Sequence, residues 1–257
     1  MSTPSRARER VDAFFLEIGR FFEILGRTLA WTPRRPYDVR ELVRQMVKIG
    51  VDSLPLVLLT SLFTGMVMAL QTAFSLPSLG VKYYIGAVVS KSLVRELGPV
   101  LTALIVGGRV GAGMTAELGS MKVTEQIDAL RAMGADPVKK LVAPKLLAAL
   151  VMIPALTILG DAIGVLGGLI VGVFQLNVTA SFYMNDVISA LNLEDVSSGI
   201  GKSFFFAVFI AMIGCYNGLN VRGGADGVGR ATTDTVVQAS ILILVSDFFL
   251  TKLFFLL

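Results

Sequence analysis

Residues 53–76 read SLPLVLLTSLFTGMVMALQTAFSL, a run without a single charged side chain. About 20 consecutive apolar residues are enough for a helix to cross the hydrocarbon core of a bilayer. The run therefore predicts a transmembrane helix. It starts too late in the chain, and is too long, for the apolar region of a cleaved signal peptide. This stretch indicates an integral membrane protein.

Four further apolar segments follow, and each is long enough to predict another transmembrane helix. Their expected bounds are residues 84–114, 146–174, 203–221 and 235–257. The charged residues within them are Lys91, Arg95 and Glu96 in the second span, Asp161 in the third and Asp247 in the fifth. Because no polar region between the spans is long enough to fold alone, we expect one all-α membrane domain over residues 1–257.

The composition of the chain excludes several classes of function. Hydrophobic residues make up 54% of the 257 residues and charged residues 16%, whereas about a quarter of a soluble domain is charged. There is no His and one Cys, Cys215, which excludes His-dependent catalytic triads and metal sites built from His and thiolates. No stripe of interleaved basic and aromatic residues suggests a nucleic-acid partner. We expect no catalytic residue, metal or cofactor in this chain.

Residues 11–30 predict an amphipathic helix that lies in the membrane interface. Apolar residues recur there at helical spacing, while the charged residues occupy the other side. The segment is too charged to cross a bilayer, and its basic flank favours an anionic leaflet. An ordinary soluble amphipathic helix is the alternative interpretation.

The distribution of basic residues predicts the orientation of the chain in the membrane. Residues 1–50 contain ten Lys and Arg, and residues 109–145 contain six. By the positive-inside rule both segments lie in the cytoplasm, so five spans leave the C-terminus in the periplasm. Arg44 and Arg230, close to span entrances, either attract anionic headgroups or only set this orientation.

The segment between spans 2 and 3 carries the most informative pattern. Residues 107–145 read GGRVGAGMTAELGSMKVTEQIDALRAMGADPVKKLVAPK. Apolar residues at helical spacing over 123–133 predict a short amphipathic cytoplasmic helix, stopped by Gly134 and Pro137. Such a helix either docks into a groove on another protein or rests on lipid.

Arg95 and Glu96 occupy an unusual position, because a charge inside a span is costly unless it faces a protein interior, a cavity or another charge. Adjacent helical residues point about 100° apart, so these two cannot pair with each other. The sequence predicts that each has a partner elsewhere or faces a wet or headgroup-filled cavity. Alternatively, span 2 begins after Glu96 and both residues lie at the outer interface.

Two patterns in the second half of the chain look functional but predict structure. Glycines recur at every fourth residue over 160–172, which allows close helix packing in lipid and indicates a structural role. Residues 199–203 read GIGKS, like the end of a phosphate-binding loop, but Val196 replaces the required first glycine and an apolar span follows. We therefore predict no nucleotide site in this chain.

Four strings of the sequence closely resemble the MlaE family of ABC permeases. They are RELGPVLTALIVGGRVGAG (95–113), AELGSMKVTEQIDAL (116–130), GADPVKKLVAPK (134–145) and GRATTDTVVQAS (229–240). The resemblance extends from about residue 43 to the C-terminus. It implies a homodimeric permease of the bacterial inner membrane that binds two cytoplasmic ATPase subunits and a periplasmic MCE-domain protein. Such a permease moves phospholipid between the membrane and that partner, with ATP used by the ATPase.

The resemblance also implies roles for particular residues. Residues 117–133 would form the coupling helix that docks the ATPase, with Glu125 as the key polar contact. The implied contacts within it are Glu117, Glu125, Gln126, Asp128 and Leu130. The lipid pocket would lie near the dimer axis and be lined by Met66, Met68, Leu70, Gln71, Arg95, Glu96, Leu97 and Val100.

Two other functions remain open from the sequence. A gradient-driven secondary transporter would use Asp161 or Asp247 as an intramembrane acid, although no inverted repeat is evident. An intramembrane lipid enzyme would use Glu96 as acid or base, but no His and no second carboxylate lie nearby in sequence. The sequence predicts neither the direction of transport nor a preferred headgroup.

Overall fold

The structure is a computed structural model that describes residues 19, 21–28, 39–75 and 84–256. All regular structure in these ranges is helical. Five segments are long and apolar enough to cross a membrane, and we number them span 1 to span 5. They are Val39–Ser75, Ile85–Val123, Val138–Phe174, Leu193–Leu219 and Gly224–Phe254. The predicted all-α membrane fold is confirmed.

The spans are built from shorter helical units. From residue 39 onward these are α1 Val39–Ile49, α2 Leu54–Ser75, α3 Ile85–Ser92, α4 Gly98–Val106, α5 Ala112–Val123, α6 Gln126–Ala132, α7 Ala143–Phe174, α8 Ala180–Ala190, α9 Leu193–Leu219 and α10 Gly224–Leu256. A 3₁₀ turn at Val51–Ser53 joins α1 to α2, and π-helical turns lie at Leu93–Leu97, Gly107–Gly111 and Val138–Val142. A π-turn rotates the side chains that follow it, and such turns are frequent at functional sites.

The helices extend beyond the expected apolar segments. Span 2 continues to Val123 rather than 114, and span 3 begins at Val138 rather than 146. Span 4 begins at Leu193 rather than 203, and span 5 at Gly224 rather than 235. The reason is that backbone hydrogen bonds continue a helix past its apolar part wherever the polar side chains at its ends find partners.

Glycines bring the backbones of spans 1 and 3 into contact. A Cβ atom at Gly65 would lie 1.8 Å from the carbonyl oxygen of Gly164, and one at Gly160 would lie 2.8 Å from the Ser61 hydroxyl. Further along the same ridge, a Cβ at Gly168 would lie 2.4 Å from the Tyr183 hydroxyl. The structural role predicted for this ridge is confirmed by these contacts within the chain.

The predicted helix over residues 11–30 lies outside the described residues except at residues 19 and 21–28. Residues 21–28 are helical. Phe21, Ile24 and Leu25 pack against the main apolar core, and Arg27 forms a 3.1 Å ion pair with Asp136 beyond α6. This part of the chain is therefore attached to the helical bundle through both apolar and charged contacts.

The short helices α6 and α8 lie at opposite ends of the bundle, because α6 joins spans 2 and 3 whereas α8 joins spans 3 and 4. We call the first the elbow end and the second the α8 end. At the α8 end, the Tyr183 hydroxyl donates to the Val165 carbonyl at 3.2 Å. The Asp186 carboxylate accepts from the Ala87 backbone N–H at 2.8 Å, which satisfies one of the unpaired donors at the start of α3.

Candidate functional site

A cluster of charged side chains around the buried Lys202 joins spans 2, 4 and 5. The Lys202 ammonium of span 4 donates to the Glu96 carboxylate at 2.5 Å and to the Thr251 hydroxyl at 2.6 Å. Asp247 lies 3.2 Å from the same ammonium, and Thr251 donates to Glu96 at 3.1 Å. The Lys202 side chain is fully buried, so its charge depends on these partners rather than on water.

Arg95 lies beside this cluster and has its own partner in span 4. Its guanidinium forms a 3.0 Å ion pair with Asp195, whose carboxylate also accepts from the Asn192 N–H in a capping box. Lys202 donates to the Arg95 carbonyl at 3.2 Å. Arg95 and Glu96 both belong to the π-turn at Leu93–Leu97. Each thus has a separate partner in span 4, which is one of the alternatives that the sequence left open.

The sequence interpretation did not identify the two partners, Lys202 and Asp195. The expected start of span 4 at residue 203 placed both outside the membrane segment. In the structure, the GIGKS stretch is helical, and the Lys202 ammonium donates to the Glu96 carboxylate in the ion cluster. An available signal was the single Lys next to an apolar run, because a basic residue at a span end can pair with an acid in a neighbouring span.

The second feature is a bend after span 2 that is followed by a short helix, and we call residues 123–133 together the elbow. The helix ends at Val123 and a new one, α6, starts at Gln126. Between them Glu125 adopts a left-handed conformation with φ of 59°, which is uncommon for a residue other than glycine. The expected coupling helix over 117–133 is therefore two helices, because the bend redirects the chain at Glu125.

The elbow presents a mixed polar and apolar surface. Glu125, Gln126 and Asp128 are exposed and Leu130 is half-buried, whereas Ile127 is fully buried and anchors α6. Met133 is 74% exposed. Because the one well-buried α6 side chain is Ile127, the remaining surface of this helix faces outward.

Ion pairs brace the elbow. Lys122 lies 2.8 Å and Arg131 3.1 Å from the Asp128 carboxylate. The Lys122 hydrogen bond, together with the positive charges of Lys122 and Arg131, lowers the pKa of Asp128 below its usual value. Because the pKa of Asp128 is lower in the folded state than in the unfolded state, these ion pairs stabilise the fold at any pH above the unfolded pKa. That stability is lost as the pH falls through the lowered pKa of the folded state.

Glu117, unlike the other expected ATPase contacts, points into a cluster inside the bundle. Its carboxylate lies 2.5 Å from the Lys48 ammonium of α1 and 2.8 Å from the Lys145 ammonium of α7. The Lys145 side chain is 2% exposed. Glu117 therefore ties spans 1, 2 and 3 together behind the elbow rather than forming part of its outer surface.

Comparison with known sequences identifies the protein family. The family model described as "Permease MlaE" matches residues 42–253. This chain belongs to the MlaE permease family. The resemblance stated from the sequence motifs is confirmed, and the chain is a permease of an ABC transporter.

Named relatives agree with the MlaE assignment. A probable ABC transporter permease protein of Rickettsia typhi is 47% identical over 220 residues, which cover 86% of this chain and 85% of that protein. A probable ABC transporter permease protein of Synechocystis is 38% identical over 249 residues, covering 97% and 95%. The intermembrane phospholipid transport system permease protein MlaE of Haemophilus influenzae is 39% identical over 248 residues, covering 96% and 95%.

In this MlaE-family chain, the residues expected to line a lipid pocket lie in four different surroundings. Met66, Met68, Leu70 and Leu97 pack around one apolar cluster at the α8 end, which includes Tyr183. Val100 packs instead against the main core, and Gln71 is exposed. Arg95 and Glu96 belong to the ion cluster described above. Leu97, which directly follows Glu96, is the link between the charged and apolar groups.

The two intramembrane aspartates of the secondary-transporter alternative lie in different surroundings. Asp247 pairs with Lys202. One carboxylate oxygen of Asp161 is buried without a hydrogen-bond partner and lies against Gly98, where a Cβ would come within 1.7 Å of it. Among the described residues, no hydrogen bond joins the two acids.

Two further expectations concern surface residues and metals. Arg44 is 74% exposed and forms a 3.6 Å ion pair with Glu41. Arg230 is exposed near the start of span 5, beside Gly223. Within the described ranges, no group of three His, Cys, Asp or Glu side chains could hold a metal ion.

Proposed function

We propose that this MlaE-family permease moves phospholipid between a bacterial inner membrane and a periplasmic MCE-domain protein. A separate ATPase subunit hydrolyses the ATP, and the permease acts as a homodimer with two such subunits. The likeness to the H. influenzae MlaE protein over 96% of this chain carries the proposal. The membrane fold, the exposed elbow and the intramembrane charges each support one part of it.

The elbow is the proposed docking site for the ATPase. It presents exposed Glu125, Gln126 and Asp128 on a short helix that Ile127 holds to the permease, an arrangement suited to a groove on a partner protein. Span 2 is helical from Ile85 to Val123. Movement of the docked elbow would therefore be transmitted along the helix of span 2 to Arg95 and Glu96.

The region around Arg95 is the proposed lipid pocket. The Arg95 side chain is 27% exposed, and a guanidinium can hold a phosphate through two parallel hydrogen bonds. Leu93, two residues before Arg95, belongs to the apolar cluster against which Leu97, Met66 and Met68 pack. The flexible thioether of methionine adapts to acyl chains of different shape.

Glu125→Lys is expected to separate the permease from its ATPase. The substitution reverses the charge at the exposed start of α6, where removal of a carboxylate breaks no hydrogen bond or ion pair seen among the described residues. Tagged wild-type protein, purified from native membranes in mild detergent, should bring down an ATPase subunit and ATP hydrolysis. The variant should lose both, by roughly tenfold or more, as expected for a charge-assisted contact.

The matched control is Glu194→Lys, the same charge reversal at an exposed residue of the α8 end. It should keep the ATPase. Equal recovery of ATPase with wild type and Glu125→Lys would refute the role of Glu125. If wild type brings down no ATPase at all, the ATP-driven mechanism itself is contradicted.

We also propose that the elbow end lies in the cytoplasm, with the N-terminus, and that the α8 end and the C-terminus lie in the periplasm. Cys215 is fully buried, so the natural chain is a suitable background for cysteine labelling. A membrane-impermeant maleimide should label Ser181→Cys, in α8, in intact cells. It should label Ala132→Cys, in α6, only in inverted vesicles. The reverse pattern would overturn the orientation.

A further inference from the structure

A cavity of about 190 Å³ lies at the elbow end between α1 and span 2. Its charged lining residues are Lys48, Asp52, Arg109 and Glu117. Gly113 forms part of the wall. The cavity is separate from the Arg95 region, because none of its lining residues belongs to that ion cluster.

The two cations at the cavity keep unused hydrogen-bond donors. One terminal nitrogen of Arg109 donates to the Ser53 hydroxyl at 2.8 Å and to the Lys48 carbonyl at 3.3 Å. The other lies 3.7 Å from Asp52, which is an ion pair but too long for a hydrogen bond. Lys48 has three N–H donors, and its ammonium donates to Glu117.

The cluster around the cavity carries a surplus of positive charge. Glu117 is shared by Lys48 and the buried Lys145, and Asp52 faces Arg109. Three cations thus meet two carboxylates. A single negative charge would balance the cluster and use the remaining donors.

The cavity lies where the charge-free part of span 1 begins and that of span 2 ends. In span 1, Lys48 and Asp52 come just before the charge-free stretch over 53–75, and in span 2 Arg109 follows the charge-free stretch over 97–108. The charged residues that flank the charge-free stretches of spans 1 and 2 therefore meet at the cavity. In a bilayer this is the depth of the polar headgroups, which flank the hydrocarbon core.

We propose that this cavity binds the phosphate group of a membrane phospholipid in the leaflet at the elbow end. Lys48 and Arg109 hold the phosphate, and the acyl chains extend along the apolar surfaces of spans 1 and 2. The site is a second lipid position, distinct from the Arg95 region. Its use as a station in transport rests on the proposed function, whereas the binding itself does not.

Native mass spectrometry of the purified full chain tests this site. Wild-type protein is titrated with dioleoylphosphatidylglycerol and, as a chemical control, with dioleoylglycerol, which lacks the phosphate. A Cβ at Gly113 would meet no atom within 4 Å, so Gly113→Leu should fill the cavity without disturbing the bundle. The variant should lose one phosphatidylglycerol per chain, with roughly tenfold weaker binding of that lipid.

The matched control is Gly108→Leu, since Gly108 also has open space around it in span 2 but does not line the cavity. It should retain the wild-type lipid count. An unchanged count in Gly113→Leu, or equal retention of dioleoylglycerol, would overturn the site. If inorganic phosphate binds to the wild type and is lost in Gly113→Leu while the lipid count stays constant, the ligand is a soluble phosphate and the lipid assignment is wrong.

A second variant guards against effects on folding. Asp52 competes with the phosphate for Arg109, so Asp52→Asn should bind phosphatidylglycerol several-fold more tightly, a gain that a damaged fold cannot produce. Weaker binding would contradict the proposal. The number of lipids bound per chain can be measured without an ATPase. If the wild type binds the lipid here but recruits no ATPase, the proposed transport function is refuted, whereas the lipid site stands.

Discussion

Lys202→Met is expected to remove most of the folded permease. The substitution leaves the carboxylates of Glu96 and Asp247 inside the bundle without their common cation. Deleting one partner of a fully buried ion pair costs about 3–5 kcal/mol, a large share of the stability of an ordinary domain. The cost here is lower than that limit, because the side chains of Glu96 and Asp247 are 35% and 22% exposed. The yield of monodisperse protein in size-exclusion chromatography, and its midpoint of thermal unfolding, should both fall sharply.

A second substitution shows whether the unpaired charge is the cause. Glu96→Gln alone should cost less than Lys202→Met, because Lys202 keeps Asp247 as a counterion. In the double variant, the loss should be smaller than the sum of the two single losses. Lys252→Met, the same change at an exposed residue of span 5, should be close to neutral. Strictly additive losses would show that Lys202 and Glu96 do not stabilise each other.

Gly65→Val is expected to prevent spans 1 and 3 from packing. The new Cβ would lie 1.8 Å from the Gly164 carbonyl oxygen, and backbone atoms cannot move aside as a flexible side chain can. Overpacking of a core costs about 1–3 kcal/mol and sometimes more. Here the helices must separate along their contact, so the effect should lie at the upper end. The measurement is again the yield and unfolding midpoint of purified protein.

The control for this substitution is Gly108→Val, which introduces the same side chain into span 2 where a Cβ meets nothing within 4 Å. It carries the same change in helix propensity without the clash. Near-normal yield of Gly108→Val with loss of Gly65→Val would support the packing explanation. If Gly65→Val folds as well as the control, spans 1 and 3 are not in close contact.

Much of the architecture could be predicted from residue types alone. Charge-free stretches such as 53–76 predict helices because water is absent from the bilayer core and every backbone group must be satisfied within its own segment. The glycine ridge over 160–172 predicted close packing for a similar reason, since small residues allow helices to approach. Four linear motifs, among them residues 116–130, together indicated the MlaE family.

The candidate site was predicted only in part. The position of Arg95 and Glu96 inside a span required partners, because a bare charge there is too costly. The identity of those partners, Asp195 and Lys202, could not be derived, since residues about 100 positions apart meet only through the arrangement of the spans. Similarly, Glu117 was expected at the ATPase surface, but contacts from two other spans draw it inward.

The sequence by itself determined that this protein is an all-α membrane permease of the MlaE family, because hydropathy, glycine spacing and linear motifs are local properties of the chain. Only the tertiary structure decided which charges meet, that the chain bends at Glu125, and where the elbow-end cavity forms. These features depend on how spans 1 to 5 pack against one another. A buried charge stabilises the fold only where that packing brings its counterion within hydrogen-bonding distance.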